Sequence, residues 1–346
     1  MNLVIPIAVT ALLGVCLGYP VLVLARFLNL IDVPGSEPHK IHKFPAPLAG
    51  GLLMILILWI SALIFYDWFD WNMLVIFISA TPIFLFGIWD DKESLPAVPK
   101  LLGQFIAVVI LISQGIQIHF MDTAYQSGYI SFFVAQVANI FLTFFWIIGI
   151  TNAVNMIDSM GGIVTGIGMI AFLSYLYLTN LAGQEMVSVW CAVLLGICAG
   201  LYFWNKILEK IFLGDSGSQT LGFFLATLGI LYNPGNFHPE SSWFLPVILM
   251  GVPIFDTTLV VISRLRKGQP IELGRRDHTY HRLISLGLSS GVAVFITHLV
   301  ALLLSGLAFF TLFLSPSTAL IVFFLTVFVG ILILIWFERK PTLDRE

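Results

Sequence analysis

The chain is a succession of apolar segments, each about as long as a helix that crosses a lipid bilayer. Residues 291–313, for example, contain no Lys, Arg, Asp or Glu. The hydrocarbon core of a membrane is about 30 Å thick, so a helix needs about 20 apolar residues to span it. Backbone polar groups must be paired within lipid, which excludes isolated strands. These segments therefore predict membrane-spanning α-helices.

Composition leads to the same class of protein. Hydrophobic residues make up 59% of the chain and charged residues 10%, whereas soluble domains carry about 25% charged residues. We predict a single all-α polytopic membrane domain over residues 1–346, with about eleven transmembrane helices. The predicted spans lie near 3–28, 48–66, 73–89, 101–118, 130–150, 163–180, 186–204, 217–232, 243–262, 291–313 and 318–337.

The basic residues predict the orientation of these spans. All 16 Lys and Arg residues fall on one side or at the adjoining span ends, and cytoplasmic loops are the ones enriched in Lys and Arg. We therefore expect the N-terminus outside and the C-terminus in the cytoplasm. The net charge of −3 gives no indication of a nucleic-acid partner. The inner segments are 29–47, 90–100, 151–162, 205–216, 263–290 and the tail after 337.

Acidic residues collect on this inner side. Asp90 and Asp91 are adjacent at the end of the third span, where two carboxylates repel each other unless a cation or a proton shares the site. Metal binding or general-base work is one interpretation, and simple solvation at the surface is the other. Asp256 lies inside the ninth span, where an ionisable group is costly and usually faces a cavity.

The stretch "TNAVNMIDSMGG" ends the fifth span. Asn152, Asn155 and Asp158 recur at every third residue, which places them on one face of a helix. Unpaired polar groups are costly in lipid, so this face must meet a polar cavity or another helix. Hydrogen bonding between helices is the alternative to a role in a binding site.

Two further segments carry chemically useful residues. "GDSGS" places Asp215 among glycines and serines before the eighth span, a setting that suits Mg²⁺, although capping of a helix would explain it too. In the longest inner loop, His278 and His281 are three residues apart beside Asp277. Together with the basic residues, this inventory predicts a Mg²⁺-dependent reaction on phosphates, with an active site at the cytoplasmic face.

The sequence resembles the polyprenyl-phosphate N-acetylhexosamine-1-phosphate transferases in these segments. This family includes bacterial undecaprenyl-phosphate GlcNAc-1-phosphate transferases and phospho-MurNAc-pentapeptide transferases. The resemblance covers nearly the whole chain, in matching order, spacing and membrane side. It rests on "PAPLAGG", "WDDK", "NAVNMID", "FLGDSGS", "PIFDT" and "RDHTYHRL".

The resemblance implies a reaction and a set of partners. A polyprenyl phosphate would attack the β-phosphate of a UDP-activated amino sugar and release UMP, in a bacterial cytoplasmic membrane. GlcNAc is the default sugar, Mg²⁺ the expected cofactor with Mn²⁺ as an alternative ion, and a homodimer is expected only by resemblance. Alternatives are a pentapeptide-type transferase, an inactive lipid- or nucleotide-binding homologue and a transporter. A transporter would need ionisable groups near the middle of the bilayer, and of these acids only Asp256 lies inside a predicted span.

The resemblance also implies roles for individual residues. Asp90 would act as the base on the lipid phosphate, with Asp91 beside it, and Asp215 would bind the metal. The nucleotide and metal pocket would include Asn152, Asn155, Asp158 and Lys43. His278 and His281, with Arg276 and Arg282, would hold the diphosphate or the sugar.

The chain departs from the family pattern at two places. Relatives commonly read "NxxDGxDGL" after the fifth span, whereas this chain has Ser159 for the first glycine and Gly161 for the second acid. Tyr280 replaces a histidine of the family's histidine motif. We expect these positions to affect the identity of the sugar.

Overall fold

The computed structural model describes residues 2–33, 45–235, 237, 242–270 and 276–340. Within these ranges almost all regular structure is α-helical, as predicted. The helices are α1 (Val4–Phe27), α2 (Gly50–Ile64), α3 (Trp71–Glu93), α4 (Ala97–Ser113), α5 (Asp122–Gln126), α6 (Phe132–Ile157), α7 (Ile163–Leu181), α8 (Glu185–Tyr202), α9 (Gly214–Leu231), α10 (Leu245–Leu249), α11 (Gly251–Arg266), α12 (Thr279–Ser285), α13 (Ser290–Thr311) and α14 (Pro316–Glu338).

Every predicted span coincides with helical structure. In the described ranges, seven helices are long and apolar enough to cross a membrane, and α2 and α4 are shorter apolar helices. The protein is therefore a helical, multi-pass membrane protein, while the number of crossings and their direction stay predictions. The ninth span is two helices, α10 and α11, which meet at Met250. Pro253 follows this break, and a proline lacks the N–H that would continue the helical hydrogen bonds.

Helix α9 lies at the centre of the bundle. It packs against α2, α3 and α6, and every residue from Ser216 to Leu228 is buried. By contrast, most side chains of α14 are exposed on the outside of the bundle, as expected for a helix that faces lipid. The polar start of α9 is thus held within protein, where neighbouring helices can satisfy it.

Small residues allow other helices to approach closely. Helices α1 and α8 meet at Gly14 and Gly200, where a Cβ on Gly14 would lie 2.8 Å from the Cα of Gly200. Side chains would not fit at that separation, which is typical of packing between membrane helices. This contact fixes α8 and the π-helical turn Phe203–Ile207 that follows it.

A short antiparallel pairing joins β1 (Ile31–Asp32) to β2 (Ala46–Pro47), on either side of the loop that contains Lys43. The backbone N–H of Phe212 donates to the carbonyl of Pro47, so this loop begins and ends beside the start of α9. Lys43, the predicted nucleotide contact, lies outside the described residues.

Candidate active site

The ends of four helices form one polar cluster. It contains the C-terminal ends of α3 and α6 and the N-terminal ends of α4 and α9, and α9 contacts both α3 and α6. Asp90, Asp91, Asp158 and Asp215 come together here, as the sequence predicts. We call this set the acid cluster.

Asp91 caps helix α9. Its Oδ1 accepts from the backbone N–H of Asp215 at 2.6 Å, and its Oδ2 accepts from the backbone N–H and the hydroxyl of Ser216 at 3.2 and 2.6 Å. A carboxylate at a helix N-terminus satisfies unpaired N–H groups and complements the helix dipole. Both oxygens of Asp91 are thereby engaged, so the geometry gives this residue a positioning role for Asp215.

Gly214 makes this capping contact possible. Its φ is +69°, and a Cβ would lie 2.6 Å from both carboxylate oxygens of Asp91. Glycine adopts a positive φ without steric cost. The first glycine of "GDSGS" therefore serves the turn that brings α9 onto Asp91.

Lys100 lies between two acids of the cluster. Its Nζ forms ion pairs with the Oδ2 atoms of Asp90 and of Asp215, the latter at 3.2 Å. The other oxygen of Asp90 accepts from the backbone N–H of Leu95 at 2.6 Å. Lys100 is not among the site residues predicted from the sequence, although its position ten residues after Asp90, at the start of an apolar span, is a usable signal.

Asn155 and Asp158 complete the cluster from the end of α6. The Asn155 Oδ1 accepts from the Ser218 hydroxyl at 2.5 Å. Its side chain also helps to hold the pKa of Asp215 below its usual range despite burial. Burial raises the pKa of Asp158 to about 8, and repulsion from Asp215 and Asp91 adds to the shift. Four carboxyl groups thus share one site, where bound cations or protons are favoured.

Asn152 faces another helix rather than the acid cluster. Its amide nitrogen donates to Gln104 Oε1 at 2.7 Å and to the carbonyl of Ile148 at 2.8 Å. The Gln104 amide nitrogen in turn donates to Asn152 and to Gln219, at 3.3 and 2.9 Å. The helix-packing alternative describes Asn152 better than the nucleotide contact does, because these bonds join α4, α6 and α9 inside the bundle.

The donor set of the acid cluster suits a hard divalent cation, since it offers carboxylate and amide oxygens. Among the described residues, however, no three His, Cys, Asp or Glu side chains form a metal cage. Mg²⁺ commonly uses one or two carboxylates and completes its shell with water and substrate phosphates. The residues therefore fit an ion that binds together with a phosphorylated substrate.

The predicted histidines belong to the segment around α12, whose Tyr280 lies near Asp158 of the acid cluster. His278 Nδ1 lies 2.8 Å from Asp256 Oδ2, whose other oxygen accepts from the backbone N–H of Thr279 at 2.6 Å. Asp256 in α11 is therefore a partner that orients His278. The Tyr280 hydroxyl donates to the carbonyl of Ser159 at 3.2 Å, which attaches α12 to the loop that carries Asp158.

Contacts of two arginines connect the segment around α12 to α11 and α14. Arg264 forms two hydrogen bonds of 2.9 Å with Asp277, which hold the pKa of that carboxyl below its usual range despite burial. Arg282 pairs with Glu338 at 2.9 Å and donates to the carbonyls of Phe337 and Asp277. Arg282 thus joins α12 to the end of α14, and the substrate contact expected of it stays a prediction.

Arg276 is half-buried and close enough to influence the pKa values of both Tyr280 and His281. Its position beside the histidines agrees with the predicted cluster. Burial lowers the pKa of His281 to about 3, helped by the neighbouring His278. His281 is consequently a neutral imidazole near neutral pH.

Comparison with known proteins gives this geometry a context. Residues 73–233 match the family model described as glycosyl transferase family 4. A relative from Bacillus subtilis (strain 168), named a probable undecaprenyl-phosphate N-acetylglucosaminyl 1-phosphate transferase, is 30% identical over 285 residues. That alignment covers 80% of this chain and 76% of the relative. The chain belongs to glycosyl transferase family 4.

Other members of glycosyl transferase family 4 are similar over most of the chain. Decaprenyl-phosphate N-acetylglucosaminephosphotransferase of Mycobacterium tuberculosis (strain H37Rv) is 28% identical, with 93% of this chain and 85% of the relative covered. Phospho-N-acetylmuramoyl-pentapeptide-transferase of Lactiplantibacillus plantarum is 30% identical, with 74% and 81% covered. The predicted family membership is confirmed, and the family's enzymes are phosphotransferases by name.

Proposed function

We propose that this protein transfers a sugar 1-phosphate from a UDP-sugar to a polyprenyl phosphate and releases UMP. GlcNAc-1-phosphate is the first candidate for the transferred group. The observation that carries the proposal is the acid cluster with Lys100 between Asp90 and Asp215, at the ends of membrane helices. That position lets a lipid phosphate and a water-soluble nucleotide meet at the membrane surface.

The reaction forms one bond and breaks one. An oxygen of the lipid phosphate attacks the β-phosphorus of the UDP-sugar, and the bond from this phosphorus to the α–β bridging oxygen breaks. UMP leaves with that oxygen. Any proton on the attacking phosphate passes to the Asp90 carboxylate. Positioning and charge neutralisation dominate phosphoryl transfer, so a direct route needs no covalent enzyme intermediate.

The protein's own residues have separable tasks in this scheme. Lys100 supplies positive charge to the diphosphate, because its ammonium group is already held at the centre of the acid cluster. Asp91 holds the start of α9 and so positions Asp215. Asp256 holds the His278 ring in a fixed orientation. When bound, Mg²⁺ held by Asp215 and the oxygens beside it would neutralise charge on the phosphates.

The test uses the purified full-length protein in detergent with Mg²⁺ and undecaprenyl phosphate. A panel of UDP-sugars includes UDP-GlcNAc and UDP-MurNAc-pentapeptide, and released UMP is measured. We expect turnover with one of them. Absence of UMP release with every sugar, from protein that remains folded and binds the nucleotide, would favour an inactive homologue and refute the proposal.

Substitutions at two acids of the site, with one control, test the roles assigned to them. Asp90→Asn and Asp215→Asn should each lower turnover by at least about a hundredfold, as expected for loss of a positioned acid or base. Asp67→Asn is the control, because Asp67 lies before α3 at the end opposite Asp90. Full activity in either site variant would contradict the assigned roles.

The location and orientation of the enzyme can be tested with the same protein. We place the enzyme in the bacterial cytoplasmic membrane, with the acid cluster on the cytoplasmic side. Labelling of single cysteines introduced at each end of α3 would report the direction of that helix. Cross-linking in native membranes would test the homodimer.

A further inference from the structure

Tyr280 makes two hydrogen bonds with a single hydroxyl group. Its oxygen lies 2.5 Å from His281 Nε2 and 3.2 Å from the carbonyl oxygen of Ser159. Both Tyr280 and His281 are buried, with 4% and 6% of their surfaces exposed. The positions of the protons on Tyr280 and His281 are therefore decided by which arrangement satisfies the most hydrogen bonds.

Only one arrangement satisfies all three of these groups. If the imidazole carries its proton on Nε2, it donates to the tyrosine oxygen, and the tyrosine hydroxyl donates to the carbonyl of Ser159. If the tyrosine instead donates to Nε2, this carbonyl loses its donor and His281 carries a buried N–H on Nδ1. Unpaired buried N–H groups are rarer than under-satisfied acceptors. Burial also raises the pKa of Tyr280, so its hydroxyl keeps the proton it donates.

The first arrangement leaves His281 Nδ1 as a buried hydrogen-bond acceptor. Nδ1 has no hydrogen-bond partner among the described residues. Because the pKa of His281 lies at about 3, this ring remains neutral under ordinary conditions. A neutral nitrogen with a lone pair repels a phosphate oxygen and accepts from a hydroxyl or an amide N–H.

We propose that Tyr280 is a positioning residue that holds His281 in the Nε2–H tautomer, so that Nδ1 accepts a hydrogen bond from a donor group on the transferred sugar. This inference deepens the proposed function and rests on it for the identity of the ligand. Of the two roles expected of His281, contact with the diphosphate or with the sugar, it selects the sugar, because the ring would accept from a hydroxyl or an acetamido N–H. It also gives a function to Tyr280, one of the departures from the family pattern, through a contact with the backbone of Ser159.

The tautomer can be measured without substrate. Protein labelled with ¹⁵N-histidine is examined by solid-state NMR in lipid, and the His281 signals are assigned by their absence in His281→Gln. We expect the shifts of a neutral ring with the proton on Nε2. In Tyr280→Phe, which lacks the hydroxyl, this tautomer should lose its preference. A ring protonated on Nδ1 in the unmodified protein would overturn the inference, whether or not the enzyme turns over.

Specificity provides the second measurement. The UDP-sugar that supports turnover is compared with analogues that lack single hydroxyls or the acetamido N–H. In the unmodified enzyme one deletion should lower kcat/KM strongly, and Tyr280→Phe should reduce that discrimination by roughly tenfold. The control is Tyr232→Phe, since the Tyr232 hydroxyl is buried without a partner at the opposite end of α9.

The outcomes separate a positioning role from a purely structural one. Equal losses of kcat/KM for all sugars in Tyr280→Phe, with unchanged discrimination, would contradict the inference. The same holds if the KM for lipid phosphate rises while discrimination stays constant. A protein that shows the expected tautomer but no turnover would refute the proposed function and leave the assignment of the proton intact.

Discussion

Replacement of Lys100 by glutamine removes the positive charge that lies between Asp90 and Asp215. Glutamine keeps a hydrogen-bond donor on a side chain that is one bond shorter, so the main change is the loss of the charge. At the 3.2 Å separation from Asp215, Coulomb attraction in a medium with an effective dielectric constant of about 20 is about 5 kcal/mol. Lys100 is 28% exposed, and water screens part of this attraction.

The net effect is better estimated from hydrogen bonds to charged groups, which contribute about 1.5–3 kcal/mol. A loss of about 2 kcal/mol in the transition state corresponds to a roughly thirtyfold lower kcat/KM for the UDP-sugar. Lys100 also competes with any divalent cation for these carboxylates. The variant should therefore reach half-maximal activity at a lower Mg²⁺ concentration while its KM for the UDP-sugar rises.

The assay is UMP release over a Mg²⁺ titration, with thermal unfolding as a check on folding. Lys92→Gln is the matched control, because Lys92 is exposed at the end of α3. If Lys100→Gln kept kcat/KM within about threefold of the unmodified enzyme, a direct role for the charge would be refuted. A higher Mg²⁺ requirement would contradict the competition between the two cations.

Three further predictions follow from the same geometry. Gly214→Ala should lower activity, and it should lower the free energy of unfolding by at least about 1 kcal/mol, because Gly214 has a positive φ and its added Cβ would meet Asp91. The control in thermal unfolding is Gly149→Ala, because a Cβ at Gly149 meets nothing within 4 Å. The folded protein resists protonation of His281, whose pKa is lowered from 6.5 to about 3, so stability falls as the pH drops below about 6.5. The loss of stability from His281 reaches about 2 kcal/mol near pH 5. His281→Gln lacks this group, so its melting temperature should fall less between about pH 7 and pH 5 than that of the unmodified protein. An equal fall in both proteins would contradict this prediction. Removal of divalent ions with EDTA should abolish UMP release and Mg²⁺ should restore it, whereas activity that persists in EDTA would exclude the predicted cofactor.

Several features of the site followed from local pattern. The spacing of charged residues between apolar segments brought Asp90, Asp158 and Asp215 to the same side of the membrane, and the structure places them in one cluster. From sequence, Asn152 and Asn155 are equivalent, since both lie on the inner half of one helical face. Their roles differ because the two side chains lie about one helical turn apart and meet different partners. Asn152 bonds to Gln104, whereas Asn155 bonds to Ser218 beside the acid cluster.

Other contacts depend on partners distant in the chain. Lys100 looked like one more basic residue at a span end, and only the packing of α3 against α4 and α9 places its ammonium group between two acids. Arg282 stands within the histidine motif, yet its guanidinium group pairs with Glu338, which is 56 residues further along the chain. Sequence spacing carries no information about such pairs.

Apolar length by itself determined the helical membrane class and the approximate position of each predicted span. These properties are local, because each span must satisfy its own backbone in lipid regardless of its neighbours. Only the tertiary structure decided that Asp91 caps α9, that Asn152 joins helices and that Tyr280 meets Ser159. Those roles depend on which side chains of different helices face one another, and the packing of the whole bundle determines these pairs.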